Sequence, residues 1–426
     1  MKQRKGIEWS RLDNASKFFP ATCNDKDTKV FRLACELNEA VKPKILQQAL
    51  NLTIESFPLY KSVLRRGVFW YYLESSDIHP VVKMESNQVC APIYLRDRRN
   101  LLFRVFYYNN RISLEVFHAL SDGTGAIWFI QTLVHHYLFL RHKNVFADKT
   151  PKLNYKASIS QQTDNSFEKY YTGKDTAKLT DMNNEREAEA RAYHIRGVRL
   201  DESRLKVIEG CMSVKAVLDE AHKYNTTLTI FITSLFIYSI YKEMPANRKN
   251  RPIVISVPIN LRQFNESETA RNFFSTMKIA YHFSEGSTEL KDVIQIVSEN
   301  FRKELTEERL NKQVNRFVSL EKNLFTRVLP LPLKDYILRI GIKIKDRGVT
   351  AALSNIGRIS MPSEFDAYIR QFIVYISVRR PQITICTYGD RLTVSFASPF
   401  RETEIQRVFF EFLSQKKISI EITSNL

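Results

Sequence analysis

The sequence has few of the residue patterns that mark metal, redox or nucleotide chemistry. The five cysteines are odd in number and no two form a C-x-x-C pair, so we expect reduced thiols in a cytoplasmic protein. Neither G-x-x-x-x-G-K-[ST] nor G-x-G-x-x-G occurs, which argues against a P-loop and a Rossmann fingerprint. No signal-like apolar segment follows Met1, which agrees with the cytoplasmic expectation.

Long apolar runs and clustered metal ligands are also scarce. The most apolar helix candidate, LTIFITSLFIYSIY at 228–241, is shorter than the roughly 20 residues that a membrane span needs. It predicts a buried core helix, and we expect no transmembrane segment. His135, His136 and His142 lie on or just after one predicted helix, but adjacent histidines point to different faces and no carboxylate set accompanies them. We therefore predict no metal site.

Positive charge is the most pronounced bulk property of the chain. Its 64 basic and 46 acidic residues give a formal net charge of +18, which favours anionic partners such as nucleic acid, anionic lipid or a phosphate-bearing small molecule. The basic residues form short, dispersed clusters, such as RDRR at 96–99 and NRKNR at 247–251. No zinc-finger spacing or RNA-recognition signature occurs, so a solvated basic surface is favoured over specific nucleic-acid binding.

The length of 426 residues and the hydrophobic content of 44% allow two or three domains, or one large two-lobed unit. The composition changes at 142–192, where the residues become mostly polar and charged. We interpret this segment as a crossover between lobes that is partly ordered at best. The order of strand and helix patterns recurs loosely on both sides of it. We therefore predict an N-terminal lobe at 1–141, a crossover at 142–192 and a C-terminal lobe at 193–426.

Hydrophobic periodicity predicts alternating strands and helices, which is typical of an α/β protein. Strands are predicted at 29–37, 68–73, 102–108, 111–117, 252–261, 349–355, 369–378, 381–388 and 391–397. Helices are predicted at 43–57, 124–141, 213–225, 227–244, 288–311, 313–325 and 402–415.

The stretch LEVFHALSDGTGAIWF at 114–129 contains the most suggestive residues for chemistry. His118 ends a predicted buried strand, and Asp122 and Gly123 open the next helix. A histidine held on such a loop, with an ordinary pKa of about 6.5, is suited to act as a general base. The structural alternatives are a packed, hydrogen-bonded His118 and an Asp122 that only caps the helix. Gly123 permits close approach of another group.

HALSDG at 118–123 fits H-x-x-x-D-G and resembles the signature of the coenzyme A-dependent acyltransferase superfamily. This superfamily includes chloramphenicol acetyltransferase, plant BAHD acyltransferases, alcohol acetyltransferases and the condensation domains of nonribosomal peptide synthetases. Further segments are similar to parts of the family: RLDNASKFFPA at 11–21, VPINLRQF at 257–264, RNFFS at 271–275 and LSNIGRISMP at 353–362. The first of these resembles bacterial alcohol acetyltransferase-like proteins, and together the segments span nearly the whole chain.

Two departures narrow the resemblance. Condensation domains usually carry a second histidine directly before the motif histidine, and Phe117 stands there in this chain. That favours a plain acyltransferase over peptide-bond condensation. The D-F-G-W-G motif of the plant BAHD enzymes is absent, which argues against that branch.

The resemblance implies an α/β fold of two chloramphenicol acetyltransferase-like lobes, each a mixed β-sheet with helices, and a channel between them. It implies that His118 is the general base that takes a proton from an acceptor hydroxyl or amine, which then attacks the thioester of acyl-coenzyme A. Asp122 would be structural and would pair with an arginine, and Arg262 occupies the matching place in PINLR. The alternative for Arg262 is a surface residue. Gly123 would leave room for the thioester.

Ser354 and Asn355 are the candidate donors to the tetrahedral oxyanion, which needs hydrogen bonds in a dry site. Both lie at a predicted strand end of the second lobe. Their alternative is an ordinary turn before Gly357.

The expected partners are acyl-coenzyme A, as a co-substrate rather than a permanently bound cofactor, and a small hydroxyl- or amine-bearing acceptor. Two alternatives stay open: an acyl group delivered by a carrier protein, and a non-catalytic binding protein of the same fold. The segment LPLPLKDYILRIGIKIK at 329–345 is basic and apolar. A helix packed near the channel mouth is the favoured reading, and contact with a membrane or a carrier protein is the alternative.

Overall fold

The computed structural model describes residues 9–86, 88–96, 98–146, 151–153, 161, 163–173, 191–201 and 204–425. Much of the predicted crossover at 142–192 therefore lies outside the described residues.

The strands of the described residues are β1 (Trp9–Arg11), β2 (Val30–Leu37), β3 (Ser62–Arg66), β4 (Tyr71–Ser75), β5 (Lys83–Met84), β6 (Phe103–Tyr108), β7 (Arg111–Phe117), β8 (Lys206–Ser213), β9 (Ile253–Asn260), β10 (Phe274–Tyr281), β11 (Ala351–Arg358), β12 (Ile369–Ile376), β13 (Gln382–Tyr388), β14 (Arg391–Ser398) and β15 (Ile420–Ser424). The helices are α1 (Phe18–Thr22), α2 (Pro43–Ser56), α3 (Gly123–Arg141), α4 (Ser166–Lys169), α5 (Val214–His222), α6 (Leu228–Lys242), α7 (Leu290–Glu304), α8 (Glu307–Lys322), α9 (Leu324–Val328), α10 (Leu331–Lys345) and α11 (Glu404–Gln415).

The first sheet has five strands in the order β12-β2-β7-β6-β5. Its neighbours are antiparallel except β5 and β6, which are parallel. Helices α2 and α3 pack against each other and supply much of the core on this sheet, through fully buried residues such as Leu50, Phe129 and Tyr137. A separate three-stranded sheet, β1-β4-β3, lies in the same half of the chain.

The second sheet has seven strands in the order β10-β9-β11-β13-β14-β8-β15. It is mixed, because β11 runs parallel to both β9 and β13 while the other pairs are antiparallel. Its core includes residues of α6, α7 and α11, among them Phe236, Val297 and Phe409. The segment predicted to be a buried core helix is α6, whose residues Phe231 to Ile237 are all buried.

One strand crosses between the halves. β12 belongs to the predicted C-terminal lobe in sequence, yet it pairs with β2 at the edge of the first sheet, from Ile369 opposite Leu37 to Ile376 opposite Phe31. β12 also contacts β13 and β14 of the second sheet. The predicted α/β class and two lobes with mixed sheets are confirmed. The division at 1–141, 142–192 and 193–426 stays a proposal. In that division β12 belongs to the C-terminal lobe by sequence but pairs with the sheet of the N-terminal lobe.

Several predicted elements need correction. The strand predicted at 68–73 is a turn followed by β4, because the Gly67 amide donates to the Trp70 carbonyl at 2.9 Å and closes a hairpin. The helix predicted at 288–311 is two helices that break between Glu304 and Glu307. Strands β1, β3, β5, β8, β10 and β15 were not among the predicted elements, whereas the segment of α10 is a helix, as was favoured.

Within the described residues, no helix is both long and apolar enough to cross a lipid bilayer.

Candidate active site

His118 lies at the end of β7, where the chain turns toward α3. Its backbone amide donates to the Lys29 carbonyl at 2.8 Å, which extends the β2–β7 pairing by one step. The chain then makes a turn in which the Leu120 amide donates to the Phe117 carbonyl at 2.9 Å. These bonds hold the His118 backbone on both sides and position its imidazole.

Asn272 is the residue that orients the imidazole, and sequence reasoning did not single it out. Its Nδ2 lies 2.9 Å from the His118 carbonyl and 2.8 Å from Oγ of Ser16, and its Oδ1 lies 3.0 Å from Nδ1 of His118. Because a carbonyl only accepts, Nδ2 must be the donor there, which fixes the amide orientation. Oδ1 then accepts from Nδ1–H, so that Nε2 of the neutral ring carries the lone pair.

Aromatic rings surround His118. Phe19 stacks on the imidazole with ring centroids 4.3 Å apart and planes 15° apart. Phe31 stands edge-on at 5.0 Å and Phe274 is tilted at 5.6 Å. Burial lowers the pKa of His118 below its ordinary value of 6.5, and the negative charge of Asp122 opposes this only in part. The imidazole is therefore neutral at pH 7 and able to accept a proton.

The N-terminal segment forms one wall of this site. Both carboxylate oxygens of Asp13 accept from Ser16, one from its amide at 2.7 Å and one from its hydroxyl at 2.5 Å. Since the Ser16 hydroxyl donates to Asp13, its oxygen is free to accept from Asn272. A chain of hydrogen bonds thus runs from Asp13 through Ser16 and Asn272 to His118.

Asp122 and Arg262 form a buried, two-bond ion pair. Nη1 of Arg262 lies 2.8 Å from Oδ2 of Asp122 and Nη2 lies 3.3 Å from Oδ1. Asp122 is also the N-cap of α3, because its Oδ1 accepts from the Gly125 amide at 3.1 Å. Its Oδ2 accepts from the Phe273 amide at 3.0 Å. Asp122 therefore does both things that the sequence offered as alternatives, since it caps α3 and pairs with an arginine. Arg262 is buried and is not a surface residue.

The start of α3 lies against the second half of the chain. A Cβ on Gly125 would come within 2.2 Å of the Ala270 carbonyl oxygen, so only glycine permits this approach. Oγ1 of Thr124 accepts from Nδ2 of Asn260 at 3.2 Å. At Gly123 an added Cβ would lie 3.2 Å from Cδ1 of Ile356 on β11. The structure thus brings Gly123 beside the strand that carries Ser354 and Asn355.

Ser354 and Asn355 point to opposite faces of β11, since successive side chains of a strand alternate. The Asn355 amide donates to Oγ1 of Thr229 in α6 at 2.7 Å, on the side of Leu353, and the Asn355 side chain stays exposed there. Asn355 also accepts from the Gly357 amide at 2.8 Å. Ser354 lies on the other face, and on that side Ile356 packs against the first core. The strand register shifts between Asn355 and Gly357, which places a bulge at Ile356 beside Gly123.

The other histidines that we considered have separate partners. Nδ1 of His136 lies 3.1 Å from Oγ1 of Thr53, and Nε2 of His135 lies 2.8 Å from the Pro151 carbonyl. Nε2 of His142 bonds Glu39. Burial lowers the pKa of His136 to about 4. Each histidine therefore serves a different local contact.

Sequence reasoning found the segments that meet at His118 but did not single out all of the residues that contact it. RLDNASKFFPA contains Ser16 and Phe19, and RNFFS contains Asn272 and Phe274. Both segments had been noted only as similar to the family. A polar residue that contacts His118 from another part of the chain has no local signal of its own.

Comparison with solved structures identifies the fold as that of the two-lobed chloramphenicol acetyltransferase-like and condensation proteins. The chain is 12% identical to polyketide synthase associated protein 5 from Mycobacterium tuberculosis, with a TM-score of 0.64 over 95% of this chain and 96% of that one. It is 9% identical to TRI3 trichothecene 15-O-acetyltransferase from Fusarium sporotrichioides, with a TM-score of 0.63 over 96% and 94%.

TRI101 of F. graminearum, solved in complex with coenzyme A and T-2 mycotoxin, is 11% identical, with a TM-score of 0.63 over 97% of this chain and 99% of that one. No protein-family model and no curated protein sequence matches the chain. At these identities the likeness shows the fold alone. It confirms, at the level of the fold, the resemblance predicted from the motifs.

Proposed function

We propose that this protein is an acyltransferase that moves an acyl group, such as acetyl, from acyl-coenzyme A to a hydroxyl or amine acceptor. The observation that carries the proposal is the orientation of His118. Asn272 holds Nδ1–H, so that the lone pair of Nε2 is available. Among the described residues, no hydrogen bond uses Nε2. His118 keeps part of its surface accessible, and its Nε2 is not among the buried polar atoms without a partner, so an acceptor hydroxyl can reach it.

The proposed reaction begins with proton transfer from the acceptor hydroxyl to Nε2 of His118. The acceptor oxygen then bonds to the thioester carbonyl carbon, and the carbonyl electron pair moves onto its oxygen. Collapse of this tetrahedral species restores the carbonyl and breaks the carbon–sulfur bond. The proton on Nε2 passes to the departing thiolate, which leaves the ester, the free thiol and a neutral His118.

Other residues have supporting roles in this scheme. Asp122 does not face the acceptor, because its oxygens are taken by Arg262, Gly125 and Phe273. It positions the loop that carries His118. Ser354 and Asn355 stay the two proposed oxyanion donors; Asn355 gives one N–H to Thr229 and its oxygen to the Gly357 amide, and it keeps a second N–H. Gly123 leaves space for the thioester between α3 and β11, where we propose the channel.

Coenzyme A is the favoured donor because the basic chain suits its phosphates and because the similarly folded TRI101 was solved with coenzyme A. The name of polyketide synthase associated protein 5 supports a second candidate, an acyl group carried by a partner protein. The chemistry at His118 would be the same with either donor. A non-catalytic binding protein is disfavoured, because binding alone gives no reason to orient a base.

The test is thiol release from acyl-coenzyme A donors with a panel of alcohols and amines. We expect His118→Ala to lower kcat by about 10²–10⁴-fold, the usual range for loss of a general base. His282→Ala, at a half-exposed and distant position, is the control and should retain wild-type turnover. Wild-type turnover in a folded His118→Ala protein would overturn the mechanism. If turnover occurs with an acylated carrier protein and not with acyl-coenzyme A, the donor in the proposal is wrong and the proposed chemistry at His118 stands.

A further inference from the structure

Helix α10 has apolar side chains on the face that it turns to solvent. Its buried positions are Leu331, Lys334 and Asp335. The exposed apolar residues of α10, together with the neighbouring tip of the β3–β4 turn, are here named the apolar face. Its members are between 42% and 72% exposed, and they are Val68, Phe69, Leu333, Tyr336, Ile337, Ile340 and Ile344.

The spacing of the α10 members makes one continuous stripe. Positions 333, 336, 337, 340 and 344 follow the period of an α-helix and span about 17 Å along its axis. The packed side of the helix is held largely by the polar contacts of Lys334 and Asp335, so most of its exposed apolar side chains face outward. Contiguous exposed apolar surface marks an interaction site more often than scattered single residues do.

The apolar face is rigidly built. The Leu331 amide donates to the Val68 carbonyl at 2.9 Å, and Nζ of Lys334 donates to the Phe69 carbonyl at 2.9 Å. The Tyr71 hydroxyl donates to Asp335 at 2.7 Å. These polar anchors fasten the turn to the helix from beneath. The outward apolar side chains are therefore presented by a preformed scaffold.

Positive charge surrounds the C-terminal end of α10. Lys343, Lys345 and Arg347 are exposed there. Asp346 is bonded by Arg380 at 3.3 Å and by Arg379 at 3.6 Å.

Arg199 approaches the same place and donates to the Arg379 carbonyl at 3.0 Å. We name Arg199, Arg347, Arg379 and Arg380 the arginine cluster. Nη1 of Arg380 is buried without a hydrogen-bond partner among the described residues. Two of these guanidinium groups, those of Arg379 and Arg380, share the one carboxylate of Asp346, and together with the exposed Lys343 and Lys345 they leave an excess of positive charge that suits anionic groups.

We propose that the apolar face and the arginine cluster dock this protein on an anionic lipid bilayer, with α10 lying in the plane of the interface. An aliphatic stripe beside lysine and arginine is the composition of helices that bind at the membrane surface. The face is also the convex side of a helix, so the charge and the shape both favour lipid over a peptide or carrier protein.

Only helix α1 separates α10, which carries the apolar face, from His118, the proposed base. α10 packs against α1, and Nε of Arg339 donates to the Ala21 carbonyl in α1 at 2.7 Å. Phe19 of α1 stacks on His118. Docking would therefore place the His118 side of the molecule near the bilayer, where an apolar acceptor or acyl chain partitions. This consequence alone rests on the proposed function.

The experiment is co-sedimentation of the full chain with vesicles of phosphatidylcholine and with vesicles of phosphatidylcholine and phosphatidylglycerol. We expect binding to the vesicles with phosphatidylglycerol, weakened by added salt. Ile337→Asp with Ile340→Asp should lower partitioning by about tenfold or more, since two apolar side chains would leave the acyl boundary. Leu52→Asp, at a comparably exposed position of α2, is the matched control and should bind as wild type.

The charge arm uses Arg379→Gln, which should lower partitioning about fivefold, the usual effect of one basic residue at an anionic surface. His118→Ala should bind vesicles as wild type does, so that a failure of the catalytic proposal is distinguishable. Absent or salt-insensitive vesicle binding would overturn the proposal, as would equal binding by the Ile337→Asp, Ile340→Asp protein. Two other outcomes would overturn it as well. One is a dimer that forms without lipid and is abolished by the same double variant; the other is a complex with a carrier protein that the double variant abolishes, in the absence of vesicle binding.

Discussion

Two buried arginine–carboxylate pairs have similar chemistry and different consequences. Arg32 and Glu115 lie in the first sheet, with side chains 2% and 0% exposed. Arg262 and Asp122 lie where α3 meets the second half of the chain, and both side chains are 6% exposed. Burial and charge alone would not say which pair belongs to a functional site.

The surroundings separate the two pairs. Glu115 stands directly opposite Arg32 on one neighbouring strand and Arg104 on the other, and it binds both. Arg262 reaches across the molecule, and it donates to the carbonyls of Thr269 and Arg271 as well as to Asp122. The first pair stabilises one sheet, whereas the second fastens the loop of His118 to another part of the chain. Position relative to a reactive group, rather than burial, indicates function.

The largest effect on stability is expected from Glu115→Gln. It removes the negative charge that buried Arg32 shares with the partly exposed Arg104, while Arg32 keeps Glu85, and it should lower the free energy of unfolding by about 3 kcal/mol. Turnover per folded molecule should stay near wild type, because Glu115 does not touch the His118 loop. Urea unfolding and kcat corrected for folded fraction measure both. Glu421→Gln, in an exposed pair, should change stability by no more than about 1 kcal/mol. A matching loss of kcat in Glu115→Gln would remove the distinction between the pairs.

Asp122→Asn should have a smaller effect on stability and a larger effect on activity. Arg262 keeps its backbone carbonyl partners, and the asparagine oxygen can still cap α3. The free energy of unfolding should therefore fall by about 1.5–3 kcal/mol, as for the loss of a hydrogen bond to a charged group. The shifted loop should lower kcat by up to about 100-fold, as expected for a misplaced catalytic group. Unchanged kcat in a stable Asp122→Asn protein would contradict the positioning role.

A double-mutant cycle separates direct coupling from shared location. Asp122→Asn combined with Arg262→Met should show an interaction energy of about 0.5–3 kcal/mol, because each change removes the same contact. Glu115→Gln combined with Arg262→Met should be additive within about 0.5 kcal/mol. Thermal or urea unfolding gives both values. Additive losses in the first cycle would show that the contact carries no net energy.

The pH profile should show the smallest change and should report on the base itself. Burial lowers the pKa of His118, so kcat/KM should rise with pH, with a midpoint below 6.5, and then reach a plateau as Nε2 loses its proton. Asn272→Asp places a negative charge beside Nδ1, which favours the protonated ring and should raise the midpoint by about one unit. Asn51→Asp, at an exposed position of α2, is the control and should leave the midpoint of the pH profile unchanged. An unshifted midpoint in Asn272→Asp would exclude His118 as the titrating group.

Much of the fold was predictable because its elements carry local patterns. β7 and α3 were predicted nearly to the residue, since apolar periodicity and the Asp122 cap mark them. Local patterns could not assign β12 to the first sheet, because pairing is decided by a partner far away in sequence. The alternating pattern of β2 predicts one polar face, yet all eight residues are buried. The polar members, such as Arg32, bind other side chains inside the molecule.

The candidate site divides in the same way. His118, Asp122 and Arg262 were predictable from motifs that resemble a family. Asn272 and Phe19 were not, because each acts through a contact with His118 that only the folded chain creates. The contacts of Asn355 with Thr229 and Gly357 likewise appear only in the folded chain.

The exchanged strand β12 sets an order of events during synthesis. β2 emerges from the ribosome early, but the strand that covers its open edge emerges more than three hundred residues later. At roughly 5–20 residues per second, this interval lasts about 20–70 s. During that time the nascent N-terminal half exposes an unpaired edge of the kind that recruits other chains. Genetic separation of the two halves would leave that edge permanently open, so the chain is expected to tolerate insertions far better than division.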